Sequence, residues 1–365
     1  MIYLDYAASA PPYPQAAEKQ FQIMMETFGN PGAIHTAGNQ ARRVLQESRR
    51  ALAKLLHVRE QEIFFTSGGT EANNWAVRLG LPGKKHIVAS AIEHKSVLQP
   101  LQVLEKQGYA VTYVAPDEQG RILPSSVEKS ITQDTGLICV QAVNNETGVL
   151  QDVDALAALA KKRGIPFFCD AVQSFGHVHQ NLHKATIFTL SAHKFGGPRG
   201  IGCLVARYPC FPEAMLRGGG QEQGRRSGTE NVPGAAGMVT AAELAAAEPE
   251  ETLRALRDAL EEKLKAVVPG LTINGGGALR HPGIANCRFP GITGEEMAAR
   301  LDLKSICVSP GAACGAREGQ PSHVLLAIGR TEQQAKESVR FSLGRNTTME
   351  EVNATVQAVA EICHR

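Results

Sequence analysis

Ala185-Thr186-Ile187-Phe188-Thr189-Leu190-Ser191-Ala192-His193-Lys194, continuing into Phe195-Gly196-Gly197-Pro198-Arg199-Gly200-Ile201-Gly202, decides how this chain is read. The first six residues form an apolar run that reads as a buried strand. Ser191, His193 and Lys194 then fall where the strand leaves its sheet. A lysine hemmed by a serine, a histidine and four glycines is poorly explained as a solvated surface charge. The expectation is that Lys194 holds a cofactor covalently.

Working outward, short apolar runs alternate with helices from Glu62 onward. Strands are expected at 63–67, 86–91, 110–115, 136–143, 166–170, 187–190 and 202–207. Runs of this kind separated by helices predict an α/β fold with a mainly parallel seven-stranded sheet between helices. Asp154 to Arg163 reads as a helix with an acidic start and Gly164 as its stop. Before the sheet, helices are expected from about Gln15 to the breaker Phe28-Gly29-Asn30-Pro31, and over 40–57. After Glu248 the texture shifts to helices at 251–267, 295–301 and 350–363 with short strands at 285–289 and 338–343. Thr293-x-x-Glu296 and Thr348-x-x-Glu351 have the form of capping boxes. The expected organisation is a large domain over 15–248 and a smaller α+β domain made of 1–14 and 249–365.

Composition sets limits on function. The chain has 365 residues, 43% hydrophobic and 20% charged, and a net charge of +2, so there is no electrostatic case for nucleic acid or an anionic membrane. No apolar stretch has bilayer-spanning length, and the first residues lack the basic start and apolar core of a signal peptide. The eight cysteines contain no Cys-x-x-Cys pair, which argues against a disulfide framework or structural zinc and for a reducing cytoplasm.

Ligands of open α/β sheets bind beyond the carboxyl ends of the strands. The first expected strand runs into Gly68-Gly69-Thr70-Glu71 at a helix start, which reads either as an anion site or as a tight turn with a cap. His94 follows the second strand, where a histidine can stack on a ring, move a proton or be structural. Asn144-Asn145-Glu146-Thr147-Gly148 is a polar turn. Asp170 ends the apolar Phe167-Phe168-Cys169, with Gln173 three residues on, and an acid there is costly unless it meets a cation. Together with Ser191, His193 and Lys194, these strand ends describe a site for a flat, phosphorylated, aldehyde-bearing pyridine. Lys194 would hold it, Asp170 would pair with the ring nitrogen, and Thr70, Ser191 and His193 would meet the phosphate.

The chain resembles the pyridoxal-phosphate enzymes of the class V aminotransferase branch (fold type I), and specifically the cysteine desulfurases of the NifS/IscS type. The segments that carry the resemblance are Tyr3-Leu4-Asp5-Tyr6-Ala7-Ala8, Gly29-Asn30-Pro31, 65–74, Glu93-His94-Lys95, 144–148, 170–174, 191–194, Arg225-Arg226-Ser227-Gly228-Thr229 and 340–345. They follow the family's order across nearly the whole chain. The resemblance implies pyridoxal 5'-phosphate as cofactor, with Gly69 and Thr70 on its phosphate, His94 stacked on its ring, and Gln173 bonded to the ring oxygen. It places Asn145 near the ring hydroxyl and the substrate carboxylate, Arg340 on that carboxylate, and Thr229 on the phosphate of a partner subunit in a homodimer.

The choice of reaction rests on a second reactive residue. Cys314 lies in the small-residue segment Ser309-Pro310-Gly311-Ala312-Ala313-Cys314-Gly315-Ala316-Arg317, unlike the apolar settings of Cys139, Cys169 and Cys203. With Arg317 near in sequence it is a candidate nucleophile. The expected function is conversion of L-cysteine to L-alanine, with Lys194 moving the Cα proton, His94 as acid or base, and a persulfide left on Cys314 for a sulfur-acceptor protein serving iron–sulfur cluster, thio-cofactor or tRNA biosynthesis. Selenocysteine lyase or aminotransferase chemistry on the same scaffold is the nearest alternative. A non-catalytic sulfur-assembly partner is a more distant one. Neither nucleic acid, membrane nor metal is expected at the site.

Overall fold

The computed structural model describes residues 1–80, 83–208, 210, 213–310 and 320–363. Its strands in chain order are β1 (Ile2–Tyr3), β2 (Ile63–Thr66), β3 (His86–Ser90), β4 (Ala110–Val114), β5 (Thr135–Cys139), β6 (Phe167–Asp170), β7 (Ile187–Ser191), β8 (Gly202–Ala206), β9 (Thr272–Ile273), β10 (Ile284–Arg288), β11 (Ile306–Cys307), β12 (Ser309–Pro310) and β13 (Ser338–Ser342).

Seven of them form one sheet in the order β2-β8-β7-β6-β5-β3-β4. Every residue of β2, β3, β5, β6, β7 and β8 is buried, which is why they read as continuous apolar runs. Only the edge strand β4 is largely open to solvent. The neighbours from β4 through β3, β5 and β6 to β7 are parallel. β8 runs antiparallel to both β7 and β2. The reason is length: residues 192–201 are too few for a crossover helix, so the chain turns back on itself. The sheet is therefore mainly parallel, as expected, with one reversed strand inside it.

Helices cover both faces. On one, Pro14–Glu26, Thr36–Leu56 and Val232–Ala246 pack over Val88, Ile138, Phe188 and Leu190. On the other, Trp75, Val97 and Leu101 pack over Phe64, Leu137, Phe168 and Leu204. A separate core gathers Leu4, Leu260, Phe289, Phe341 and Val359 around a four-stranded sheet of order β12-β13-β10-β9 and the helices Glu250–Val267 and Met349–Cys363. Residues from the chain's start join this core, since β1 pairs in parallel with β11.

Local chemistry explains where the expected elements moved. The helix expected from Gln40 begins at Thr36, because the His35 imidazole caps it by accepting from Gly38 N at 3.3 Å. Asp152 caps the helix Val153–Arg163 through Ala155 N at 2.9 Å, and Gly164 ends it at φ 66° as expected. Thr348 and Glu351 form a reciprocal capping box. The Thr293 pair forms only its first half, Glu296 N to Thr293 Oγ1 at 3.2 Å, while Glu296 turns to Arg300. Thr331 and Gln334 form a full box that the sequence reading missed.

Candidate active site

The carboxyl ends of β3, β5, β6 and β7 and the glycine turn after β2 open into one cleft of about 250 Å³. Of the site residues expected from sequence, ten line it: Gly69, Thr70, His94, Asn145, Asp170, Gln173, Ser191, His193, Lys194 and Arg340. Thr229 is exposed and lies outside this chain's cleft. Cys314 falls outside the described residues.

Lys194 sits in a single turn, Ala192–Lys194, directly after β7. Its Nζ donates to the carbonyl oxygens of Ala7 at 2.7 Å and Ala8 at 3.0 Å. The neighbouring His193 is pushed down to about 4, first by burial and then by Lys194 and Arg199, so it is neutral at pH 7. Its Nδ1 lies 3.3 Å from Ser9 Oγ. The phosphate cradle expected at 68–70 begins the helix Gly69–Ala76. A Cβ on Gly69 would meet Val172 Cγ2 at 2.9 Å and Ser191 Cβ at 3.3 Å, so only glycine lets the helix start this close to β7.

Asp170 is buried at the end of β6. Burial raises its pKa, while the Val172 N–H, His94, the Asn73 amide and Lys194 act in the opposite direction. Val172 N donates to Oδ1 at 2.9 Å and Asn73 Nδ2 to Oδ2 at 2.7 Å. Asn73 also donates to Ser96 Oγ at 2.8 Å and accepts from Thr189 Oγ1 at 2.6 Å, so all its polar atoms are engaged. His94 caps the helix Lys95–Lys106, its Nδ1 accepting from Ser96 N at 3.1 Å. Burial lowers the pKa of this imidazole, with Asp170 acting in the opposite direction.

Gln173 offers a direct test of fit. Its Nε2 donates to Ala7 O at 3.4 Å, while Oε1 is buried without a partner among the described residues. Such an acceptor calls for a donor from a bound molecule. The buried acid at Asp170, the glycine cradle and the amine of Lys194 share the same cleft, so the residues present fit a phosphorylated pyridine aldehyde.

Three groups escaped the sequence reading. Asn73 looked like an ordinary helix residue, although four residues after Gly69 it shares that glycine's face. Glu93 is buried and pushed up to about 8, chiefly by burial and then by Asp170. Glu146, also in the cleft wall, is pushed up to about 7 by burial; Ser322 Oγ donates to it at 2.5 Å, while Arg340 and Lys95 hold the shift back. The polar turn at 144–148 thus ties the cleft to the segment following Cys314. The other cysteines named as core residues, Cys139, Cys169 and Cys203, are buried, with thiol pKa values raised by burial.

The aminotransferase class-V family model matches residues 2–355. A cysteine desulfurase IscS of Dictyoglomus turgidum is 38% identical over 374 residues, covering 100% of this chain and 95% of that protein. A cysteine desulfurase IscS of Methanosarcina thermophila is 39% identical, with coverage of 100% and 92%. Among solved structures, a NifS-like protein of Rickettsia africae superposes with a TM-score of 0.90 at 30% identity and full coverage of both chains.

Proposed function

The chain belongs to the class V aminotransferase family, in its pyridoxal phosphate-dependent cysteine desulfurase branch, and from that premise we propose that it converts L-cysteine to L-alanine with Cys314 as sulfur acceptor. The carrying observation is where the described flanks of the Cys314 segment attach. Ser309 pairs with Arg340 across β12 and β13. On the other side Ser322 is bonded to Glu146, and His323 lines the cleft and donates from Nε2 to Glu93 O at 3.0 Å. Both flanks are thus fixed to the rim of the cleft that holds Lys194.

Gly69, Thr70, Ser191 and neutral His193 would hold the cofactor's phosphate, Asp170 its ring nitrogen, His94 its face, and Gln173 and Asn145 its ring oxygen. When bound there, pyridoxal phosphate supplies an electron sink that makes the substrate Cα–H acidic and the Cβ–S bond labile. Arg340 binds the substrate carboxylate. Lys194 takes and returns the Cα proton, with His94 as a second acid–base group. The Cys314 thiolate attacks the substrate sulfur; an S–S bond forms, the Cβ–S bond breaks with its electron pair passing to carbon, and that carbon takes up a proton. Alanine leaves and the persulfide on Cys314 goes to a sulfur-acceptor protein.

The proposal includes a homodimer. Phe21, Met24, Met25, Phe28 and Ile34 stand exposed on and just after the helix Pro14–Glu26, an apolar patch that a second copy would cover. The exposed Thr229 would serve the phosphate of that copy. The division into 15–248 and 1–14 with 249–365 is likewise our reading, supported by the separate core around Leu4 and Leu260. Among the described residues no helix is long and apolar enough to cross a membrane.

Incubation of the purified holoenzyme with L-cysteine tests the function. The expected result is alanine with a persulfide mapped to Cys314, and Cys314→Ala should keep the cofactor absorbance but lose sulfide release. A keto acid product would point to transamination, activity confined to selenocysteine to a lyase, and a protein that binds no cofactor to a non-catalytic role.

A further inference from the structure

Arg340 carries a buried guanidinium whose partners are unusually divided. Its side chain is 2% exposed. Nη1 donates to the Asn145 carbonyl at 2.8 Å and Nη2 to Asp5 Oδ1 at 2.9 Å. Nε is buried and has no acceptor among the described residues. Two other arginines here grip both oxygens of one acid. Arg49 reaches both carboxylate oxygens of Glu222, at 2.9 and 2.6 Å, and Arg280 both of Glu261, at 2.5 and 2.9 Å. A guanidinium presents its donors as a rigid planar fork, so two fixed contacts set its rotation. Arg340 lines the cleft, and a buried Nε–H without an acceptor among the described residues is a donor left for something that binds there.

Asp5 is equipped to fix that rotation. Its carbonyl accepts from Ala8 N at 3.1 Å, Ser9 N at 3.4 Å and Tyr3 Oη at 3.1 Å, and its backbone bridges to Ser342 on the strand that carries Arg340. The carboxylate therefore approaches Nη2 from a turn braced on both sides. That same turn supplies the Ala7 and Ala8 carbonyls that hold Lys194 Nζ.

We propose that Asp5 is a positioning residue for substrate recognition: by engaging Nη2 of Arg340 it holds the guanidinium so that the Nε donor faces the cleft and meets the substrate carboxylate. The inference rests on the reading of Arg340 as the carboxylate site. Asp5 also neutralises the buried cation before substrate arrives, so the α-carboxylate enters a pair already formed and finds a preset donor.

The test compares L-cysteine with L-cysteinamide, which lacks the carboxylate, on holoenzyme carrying Asp5→Ala, Asp5→Asn or Arg340→Ala. Asp5→Ala should raise KM for L-cysteine about tenfold with a smaller change in kcat, the loss of one charge-assisted contact. It should leave kcat/KM for L-cysteinamide within about twofold of the parent enzyme. Asp5→Asn keeps an oxygen acceptor for Nη2 and should recover part of the loss. Asp5→Ala combined with Arg340→Ala should be no worse on L-cysteine than Arg340→Ala alone. Equal losses on both substrates, or an unchanged KM for L-cysteine, would overturn the proposal. If Arg340→Ala itself fails to distinguish the substrates, the carboxylate reading of Arg340 is at fault; if it distinguishes them and Asp5→Ala does not, only the role of Asp5 falls. Thermal unfolding of each apoenzyme separates these outcomes from a damaged fold.

Discussion

Asn73 donates from Nδ2 to Asp170 Oδ2 across 2.7 Å, joining the helix behind the glycine cradle to the end of β6. The carboxylate needs that donor, because among the described residues its other hydrogen-bond donor is the Val172 N–H. Asn73→Ala should strand Asp170 and the Thr189 hydroxyl, destabilising the apoenzyme by about 1–3 kcal/mol. The cofactor should also dissociate faster. Urea unfolding and the decay of cofactor absorbance on dilution check both effects, and a variant with parental values on each would contradict the assignment.

Gly69→Ala isolates the cradle from the rest of the site. The new methyl group would press on Val172 and Ser191, at 2.9 and 3.3 Å. Displacing either wall should cost about 1–3 kcal/mol, and pyridoxal phosphate affinity should fall about tenfold or more. Equilibrium titration of the apoenzyme reads the change.

Glu93 gives stability a definite dependence on pH. Its ordinary value is 4.5, and burial with Asp170 raises it to about 8. Below the lower value both folded and unfolded chains hold the proton. Between the two values the unfolded chain releases it while the folded chain keeps it, so this residue's contribution to stability declines as pH rises and levels off above about 8. Glu93→Gln removes the titration. The Tm of the variant minus that of the parent should therefore become more positive from about pH 5 to about pH 9; a difference independent of pH would show that Glu93 ionises normally.

Arg49 and Glu222 support the segment that leads to Thr229. Glu222 and Gln223 occupy left-handed backbone at φ 47° and 61°, a conformation costly for residues with side chains. The Arg49 fork and Phe65 N hold the Glu222 carboxylate in place. Arg49→Ala leaves that acid buried without a cation and should cost about 3–5 kcal/mol in urea unfolding. A loss below about 1 kcal/mol, the range of surface pairs, would mean the segment holds without it.

Much of the fold was legible because β2, β3 and β5–β8 are buried on both faces and stand out as apolar runs. Reversal of β8 was not, since strand direction depends on the length of the connection at 192–201 and not on the strand's own residues. Lys194 and Asp170 stood out because a charged residue at the exit of an apolar run has few structural explanations, whereas His94, which alone can be structural, stood out only in the company of the other strand ends. Asn73, Glu93 and Glu146 lie inside a helix, in a turn before a helix and in a polar turn, where such residues are ordinary. Their roles come from partners distant in sequence, Asp170, Gln141 and Ser322. Arg340 was expected to meet the substrate only through the motif around it, and its pairing with Asp5 spans 335 positions.

The braced turn at residues 5–9 also governs the order of assembly. It touches Lys194 through Ala7 and Ala8, and Arg340 and Ser342 through Asp5 and Ala7. During synthesis the residues made first must wait for those near position 340 before the turn has anything to rest on. A nascent chain ending short of β13 could form the glycine cradle and present Lys194, yet would lack the wall formed by Arg340. Capture of cofactor in a finished pocket is thus deferred until almost all of the described chain has been made, and a prematurely terminated product would be poorly equipped to sequester a reactive aldehyde.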